Sequence, residues 1–322
     1  MPPAGARLVA RGRRAVPEGR PCRALSDGTP CAGGRAAPVL CRSGSGRHPR
    51  CQDEQDELHG RRSARHALAI PTSPKEQNLN AAAVVPAAGR GERLGPGAPK
   101  ALRELGGVPL LVHAVRALAR SRAVTLVVVV APADGVAQVR QLLDDYGVDG
   151  HDSARISVVP GGATRQESVR LGLAVIPEDV DVVLVHDAAR PLVPVDVVDA
   201  VARAVAEGAE AVVPAVPLAD TVKQVEPAAV PGRPEPVVAT PDRSTLRAVQ
   251  TPQGFRREVL LRVHGKALND GIEATDDAGL VERYGGSVVV VPGHEEAFKV
   301  TRPLDLVLAE AVLARRRALD EF

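Results

Sequence analysis

Apolar positions change character near residue 80. Before it Arg, Pro, Gly and Ala dominate, no aromatic residue occurs and no apolar period is sustained. Such a stretch cannot bury enough surface to offset its chain entropy, so residues 1–80 are expected to be a disordered extension. It is either a regulatory tail or the product of an upstream start codon read through non-coding sequence, and the second reading is preferred.

From Ala81 onward, short apolar runs alternate with amphipathic stretches, the rhythm of βαβ units in a mainly parallel sheet. Strands are expected at Ala81–Pro86, Thr125–Ala131, Ile156–Val159, Asp181–His186 and Ala211–Val216. Each is nearly continuous in Val and Ala, as when both sheet faces are covered. Helices are expected at Pro109–Arg120, Gly135–Asp145, Arg165–Val175 and Pro194–Glu207, where apolar residues recur at three- and four-residue spacing. Between Leu218 and Thr245 the rhythm breaks into proline-rich text with two short apolar pieces, which predicts a projecting two-stranded arm. Helices near Arg257–Asn269 and Asp276–Tyr284, strands at Ser287–Val291 and Ala297–Val300, and a helix from Pro303 to about Arg317 complete the pattern. The expected fold is α/β, a Rossmann-like sheet flanked by helices, in one domain over residues 81–322. No second enzyme is expected to be fused behind the closing helix.

Composition sharpens this picture in three places. Hydrophobic residues make up 44% but aromatic ones only 2%, so the core must be built from Val, Leu and Ala. The chain carries a net +2, yet residues 1–80 alone hold 13 Arg and 1 Lys against 7 acids, which leaves −5 for the rest. A mildly acidic folded part argues against a nucleic-acid grip, which needs a basic stripe on the domain itself. The four cysteines, Cys22, Cys31, Cys41 and Cys51, fall in the extension at gaps of 9, 10 and 10 residues, which fit no close metal pair. A cysteine-free body is consistent with a cytoplasmic protein. No apolar run is long enough to cross a bilayer, and no signal-like apolar core follows the first arginines.

The segment AAAVVPAAGRGERLGPGAPKAL, Ala81–Leu102, carries the first chemistry. A buried strand runs into Gly89, Gly91, Gly95 and Gly97, with Arg90, Arg93 and Lys100 interleaved. Glycines let backbone N–H groups wrap anionic oxygens, and the cations neutralise what the amides cannot, so this is a triphosphate cradle in outline. A dinucleotide fingerprint would place its third glycine where Leu94 stands, and an ordinary P-loop would end in G-K-[ST]; neither is present. Asp187 follows the wholly apolar Val182–Val185, which puts a carboxylate at the carboxyl edge of the sheet, where α/β ligands bind. An Asp there either serves a ligand or caps the next turn.

Taken in order, the loop, GGATRQESV at Gly161–Val169, VHDAARP at Val185–Pro191, TPQGF at Thr251–Phe255, ATDDA at Ala274–Ala278 and KVTRPLDL at Lys299–Leu306 closely resemble the 2-C-methyl-D-erythritol 4-phosphate cytidylyltransferase family. The resemblance spans residues 81–322. It implies a reaction between CTP and a polyol phosphate that yields a CDP-polyol and pyrophosphate in the non-mevalonate route to isoprenoids, with Mg2+ or another divalent cation as cofactor.

Carried over residue by residue, the resemblance implies that Arg93 and Lys100 stabilise charge on the α-phosphate and the departing pyrophosphate. CTP would also meet Pro86, Ala87, Ala88, Gly89, Gly91 and Ala188, while Gly161, Gly162 and Ser168 would face cytosine and ribose. Ala163 stands where some relatives carry an acid, so base recognition would rest on its neighbours. Asp187 would hold the metal or the nucleotide. Arg243 and Lys299 would clamp the phosphate of the incoming polyol, with Thr221, Thr251 and Thr275 in the same pocket. Arg190 either faces phosphate or pairs with an acid, Arg165 and Ser168 serve the pocket or merely begin the next helix, and His186 is expected to be structural. The resemblance further implies a homodimer in which the arm at 218–245 carries Thr221 and Arg243 to the neighbouring site. Two rivals stand beside this reading: a ribitol 5-phosphate cytidylyltransferase, and a nucleotide-binding regulatory module without catalysis.

Overall fold

The computed structural model describes residues 79–89, 99–148, 154–228 and 230–320, all within one compact unit, Pro71–Phe322. The extension expected over residues 1–80 lies almost wholly outside the described residues, as do Gly91 and Arg93 of the glycine loop.

The described part opens with β1 (Ala81–Pro86), and after it come a one-turn 3-10 helix at Lys100–Leu102 and a small hairpin of β2 (Glu104–Leu105) and β3 (Val108–Pro109). Alternating elements follow: α1 (Leu110–Ala119), β4 (Val124–Ala131), α2 (Val136–Asp145), β5 (Arg155–Pro160), α3 (Arg165–Leu173), β6 (Val182–Val185), α4 (Val195–Ala206) and β7 (Ala211–Pro217). The rhythm then breaks, as expected, into β8 (Gln224–Val225) and β9 (Val237–Ala239), which pair antiparallel with each other. After β10 (Arg247–Val249) and β11 (Gln253–Arg256) come α5 (Arg257–Asp270), α6 (Asp277–Arg283), β12 (Val288–Pro292) and α7 (Pro303–Asp320).

Among the described residues the main sheet runs β10-β7-β11-β6-β1-β4-β5, with β12 also paired to β7. The pairs β6–β1, β1–β4, β4–β5 and β7–β12 are parallel. β11 lies antiparallel to both β6 and β7, and β10 is antiparallel to β7. Neither β10 nor β11 is foreseen in the hydropathy pattern, because QGFR offers one large apolar side chain and RAV is mostly exposed. A strand expected at Ala297–Val300 does not form. Ala297 closes a 3-10 turn that starts at Glu295, and Val300 spends its N–H on the carbonyl of Ala189 beyond the end of β6.

Side chains alternate along β1, so its two faces feed two different cores. Ala81, Ala83 and Val85 join Leu111, Val115, Val198 and Val201 of α1 and α4. Ala82 and Val84 join Val169, Leu173, Val259 and Leu280 of α3, α5 and α6. The small residues of β1 let helices on both sides approach closely. Gly172 shows how closely: a Cβ there would stand 2.7 Å from Cγ1 of Val84 and 2.9 Å from Cγ2 of Val130. α3 therefore lies tight against β1 and β4, which fixes where its first residue emerges at the carboxyl edge of the sheet.

A smaller cluster of Leu105, Leu110, Leu192, Val300 and Ala309 seats α7 beside the hairpin. Glu296 reinforces that seat by pairing with Arg315 and Arg316, and Arg316 also donates to the carbonyl of Leu192 at 2.7 Å. No helix among the described residues is long and apolar enough to cross a membrane.

Candidate active site

The carboxyl ends of β1, β5 and β6 open onto a cavity of about 280 Å³. Its floor is the exit of β1, Pro86 to Gly89. One wall is the turn from Gly162 into the start of α3, another is Asp187 to Ala189 after β6, and Lys100 and Lys299 close the rim. Four segments far apart in sequence thus meet at one sheet edge, as ligand sites of open α/β sheets do.

The turn before α3 is built by its own side chains. Thr164 caps the helix by accepting from the N–H of Glu167 at 3.1 Å, and Glu167 reaches back to accept from Ala163 N at 2.8 Å, a capping-box arrangement shifted by one residue. Ser168 is buried; its hydroxyl donates to the carbonyl of Thr164 at 2.9 Å and accepts from Gly162 N at 3.2 Å. Its oxygen braces the turn from behind. Gly161 gives its N–H to the carbonyl of Ala131 at 2.7 Å, and a Cβ there would sit 3.0 Å from Ser168 Oγ and 3.1 Å from that carbonyl. A side chain at 161 would push the turn off the sheet.

Asp187 is the electrostatic centre. Its Oδ2 accepts from Lys299 Nζ at 2.7 Å, and its Oδ1 lies 3.5 Å from Nε of Arg165. Burial alone would raise this carboxyl, but the Arg165 guanidinium and the Lys299 ammonium overcome that and hold it far below the ordinary carboxylate range. Arg165 also gives Nη1 to Asp277 Oδ2 at 2.8 Å, and the two acids together outweigh the burial that would depress the guanidinium.

Beneath Asp187 lies a buried chain of hydrogen bonds. Asp187 N–H donates to Thr251 Oγ1 at 3.0 Å, Thr251 Oγ1 meets His186 Nδ1 at 3.0 Å, and His186 Nε2 meets the carbonyl of Arg190 at 3.2 Å. One proton arrangement satisfies all three: Nε2–H donates to the carbonyl, and the threonine hydroxyl donates to an unprotonated Nδ1. Burial agrees, pushing His186 down to about 4. Arg190 turns away from the cavity, donating to the carbonyls of Ala297 at 2.7 Å and Val249 at 3.3 Å, so it ties down the segment that carries Lys299.

The structure thus brings Pro86, Ala87, Ala88, Gly89, Lys100, Gly162, Ser168, Asp187, Ala188 and Lys299 to one cavity. Thr251 and Arg190 sit behind it as supports, and Gly161 holds the sheet end of its turn. Thr275 is exposed and is not part of the cavity wall. Thr221 and Arg243 are exposed in the 218–245 stretch, and Arg243 donates to the carbonyl of Ala219 at 2.6 Å. Arg165, which the sequence leaves open between pocket and helix start, is both: it begins α3 and lines the cavity. Its tie to Asp277, a residue quoted only within ATDDA, was not foreseen.

A family model described as IspD: 2-C-methyl-D-erythritol 4-phosphate cytidylyltransferase matches residues 81–315, which include every element of this site. The chain belongs to that family. Curated members of the cytidylyltransferase family are similar over about three quarters of the chain. A Streptomyces coelicolor member is 71% identical over 241 residues, covering 75% of this chain and 87% of its own length. One from Frankia casuarinae is 59% identical over 240 residues, covering 74% of this chain and 84% of its own. Among solved structures, the family member from Thermus thermophilus is 36% identical with a TM-score of 0.55, covering 73% of this chain and 98% of that one. The 4-diphosphocytidyl-2C-methyl-D-erythritol synthase of Anaerococcus prevotii is 26% identical with a TM-score of 0.62, covering 74% and 99%. The chain is therefore an enzyme, a nucleotidyltransferase of the cytidylyl-transferring kind.

Proposed function

We propose that the cavity at the carboxyl edge of β1 binds CTP and that the chain joins its cytidylyl group to 2-C-methyl-D-erythritol 4-phosphate, releasing pyrophosphate. The observation that carries this reading is the meeting of Lys100, Arg165, Lys299 and Asp187 on one cavity behind a glycine-rich strand exit, in a chain whose relatives carry that activity in their names. In the transfer, a phosphate oxygen of the polyol forms a bond to the α-phosphorus of CTP while the bond from that phosphorus to the α–β bridging oxygen breaks. The attacking monoester is largely dianionic at neutral pH, since its second pKa is about 6, so no side chain has to remove a proton. What the protein must supply is charge neutralisation and alignment.

Lys100, on the cavity wall, meets the triphosphate, and the resemblance assigns Arg93 to the same charge. The turn Gly162–Ala163, braced by Ser168 and Glu167, takes the cytosine with neutral backbone groups. Lys299 faces the acceptor phosphate with Arg243, which the resemblance brings from a second copy of the arm together with Thr221; the working enzyme is then a homodimer. Exposed Val237 and Val238 on β9 suit burial against such a partner.

Asp187 is the one carboxylate on the described cavity wall, and among the described residues no group of three or more His, Cys, Asp or Glu could hold a metal unaided. That donor set fits Mg2+, which takes one or two carboxylates and completes its shell with phosphate oxygens and water. When bound, the ion supplies neutralisation of the triphosphate charge. Asp187 would hold it, with its backbone fixed by Thr251.

The test is pyrophosphate release by the purified chain with CTP and Mg2+, offered 2-C-methyl-D-erythritol 4-phosphate or ribitol 5-phosphate. Turnover is expected with the first. Preference for ribitol 5-phosphate would overturn the acceptor, and binding of CTP without turnover on either would leave a regulatory module.

A further inference from the structure

Arg165 is shared unequally between two acids. Its short contact, 2.8 Å from Nη1, goes inward to Asp277, whereas its Nε stops 3.5 Å short of Asp187 on the cavity side. The first distance is a charge-assisted hydrogen bond; the second is too long for one. Asp277 can hold the guanidinium because it is itself fixed. Its side chain is 1% exposed, and its other oxygen accepts from His264 Nε2 of α5 at 2.9 Å. The residues around it are fastened too: Asp276 caps α6 through Gly279 N and accepts from Gln253 Nε2 at 2.7 Å, and Gln253 accepts from Ala278 N.

We infer that Asp277 is a positioning residue of the nucleotide site, holding Arg165 back from Asp187 so that the Oδ1 side of Asp187 stays open to the incoming nucleotide. The inference rests on the reading of the cavity as a CTP site. Lys299 already takes Oδ2 at 2.7 Å. If Arg165 closed the remaining gap, both oxygens would be spent on protein cations and the carboxylate would have nothing to offer a ligand. A buried anion behind the guanidinium opposes that collapse, while the positive charge remains on the cavity wall. The start of α3 does not depend on this contact for its place. Gln166 bonds the carbonyl of Ile272 and the N–H of Ala274, which ties the helix to the α5–α6 loop independently. Loss of the Asp277 charge therefore lets a side chain swing and leaves the helix where it is.

The experiment is calorimetric titration of CTP with Mg2+, without acceptor, into the full chain and its Asp277→Asn, Arg165→Gln, Arg165→Lys and doubly substituted R165Q/D277N forms, each checked for cooperative thermal unfolding. Asp277→Asn is expected to lose about 10-fold in CTP affinity, and the same change made on top of Arg165→Gln to cost less than about 2-fold, because residues that act through one another are not additive. A merely structural role for Asp277 would cost the same in both backgrounds. Arg165→Lys keeps the charge but lacks the fork that holds Asp277, so it should also lose about 10-fold; it carries the test if Asp277→Asn does not fold. CTP affinity unchanged in Asp277→Asn or in Arg165→Lys, or equal losses in the two backgrounds, overturns the inference alone. A wild-type chain that takes no CTP overturns the nucleotide reading and this inference with it.

Discussion

Replacing Thr251 by Val tests the buried chain of hydrogen bonds under Asp187 more directly than any change in the cavity itself. Valine matches threonine in shape, so the perturbation is the loss of one hydroxyl. That hydroxyl accepts from Asp187 N–H and donates to His186 Nδ1, both at 3.0 Å, in surroundings where Thr251 is 5% exposed and His186 0%. Valine orphans both groups, each at about 1–3 kcal/mol, and the extra methyl returns about 1 kcal/mol, so a net loss of about 1–5 kcal/mol is expected. At about 2–4 °C per kcal/mol for a folded part of this size, the unfolding midpoint should fall by about 2–20 °C. Thr251→Ser keeps the hydroxyl and loses a methyl, so about 1 kcal/mol is expected. Scanning calorimetry with urea unfolding would measure both. A valine form within about 0.5 kcal/mol of wild type, or a serine form as damaged as the valine one, would refute the reasoning. Unchanged stability with a raised acceptor KM would instead give the hydroxyl to the substrate, as the family resemblance implies.

Lys299→Met leaves Asp187 with Arg165 at 3.5 Å and the more remote charge of Arg190. We expect about 1–2 kcal/mol of lost stability, modest because Lys299 is 38% exposed, but about 100-fold or more lost turnover in the pyrophosphate-release assay. Acidification should act early through His186. The unfolded histidine takes its proton near 6.5 and the folded one near 4, so its contribution is complete above pH 6.5 and lost as pH falls toward 4, about 2 kcal/mol by pH 5 in urea titrations. His113, lowered mainly by burial, adds in the same direction. The folded carboxyls of Asp187 and Asp277 lie below the ordinary range, so their contribution holds above about pH 4 and fails only in stronger acid. Gly172→Val should cost about 2 kcal/mol or more by forcing α3 off Val84 and Val130, and should weaken CTP binding in the same titration, since the helix start forms a cavity wall.

β1, β4, β6 and β7 were legible because each is largely buried and written in Val, Ala and Leu, while the helices between show a clear apolar stripe. β11 was not legible: its place between β6 and β7 is earned by pairing, and Gly254 is there because a Cβ would stand 2.5 Å from Val201. The error at Ala297–Val300 arose because an apolar run beside a strand exit can satisfy one backbone donor without joining the ladder. At the site, Asp187, Lys100 and Lys299 could be named from motifs and from the end of a strand. The bond from Arg165 to Asp277 spans 112 positions, and the pattern at either end alone, a helix start in both cases, has no mark of it.

The strand inserted between β6 and β7 also bears on when the fold can close. β6 and β7 are translated in succession, yet the strand that pairs with both in the antiparallel sense arrives only at Gln253–Arg256. A nascent or truncated chain ending before Gln253 would hold two of its most apolar strands with facing edges unfilled, a template for pairing with other chains. The protein is in this sense locked by a late-arriving key, and its solubility during synthesis depends on the ribosome reaching that short, inconspicuous stretch.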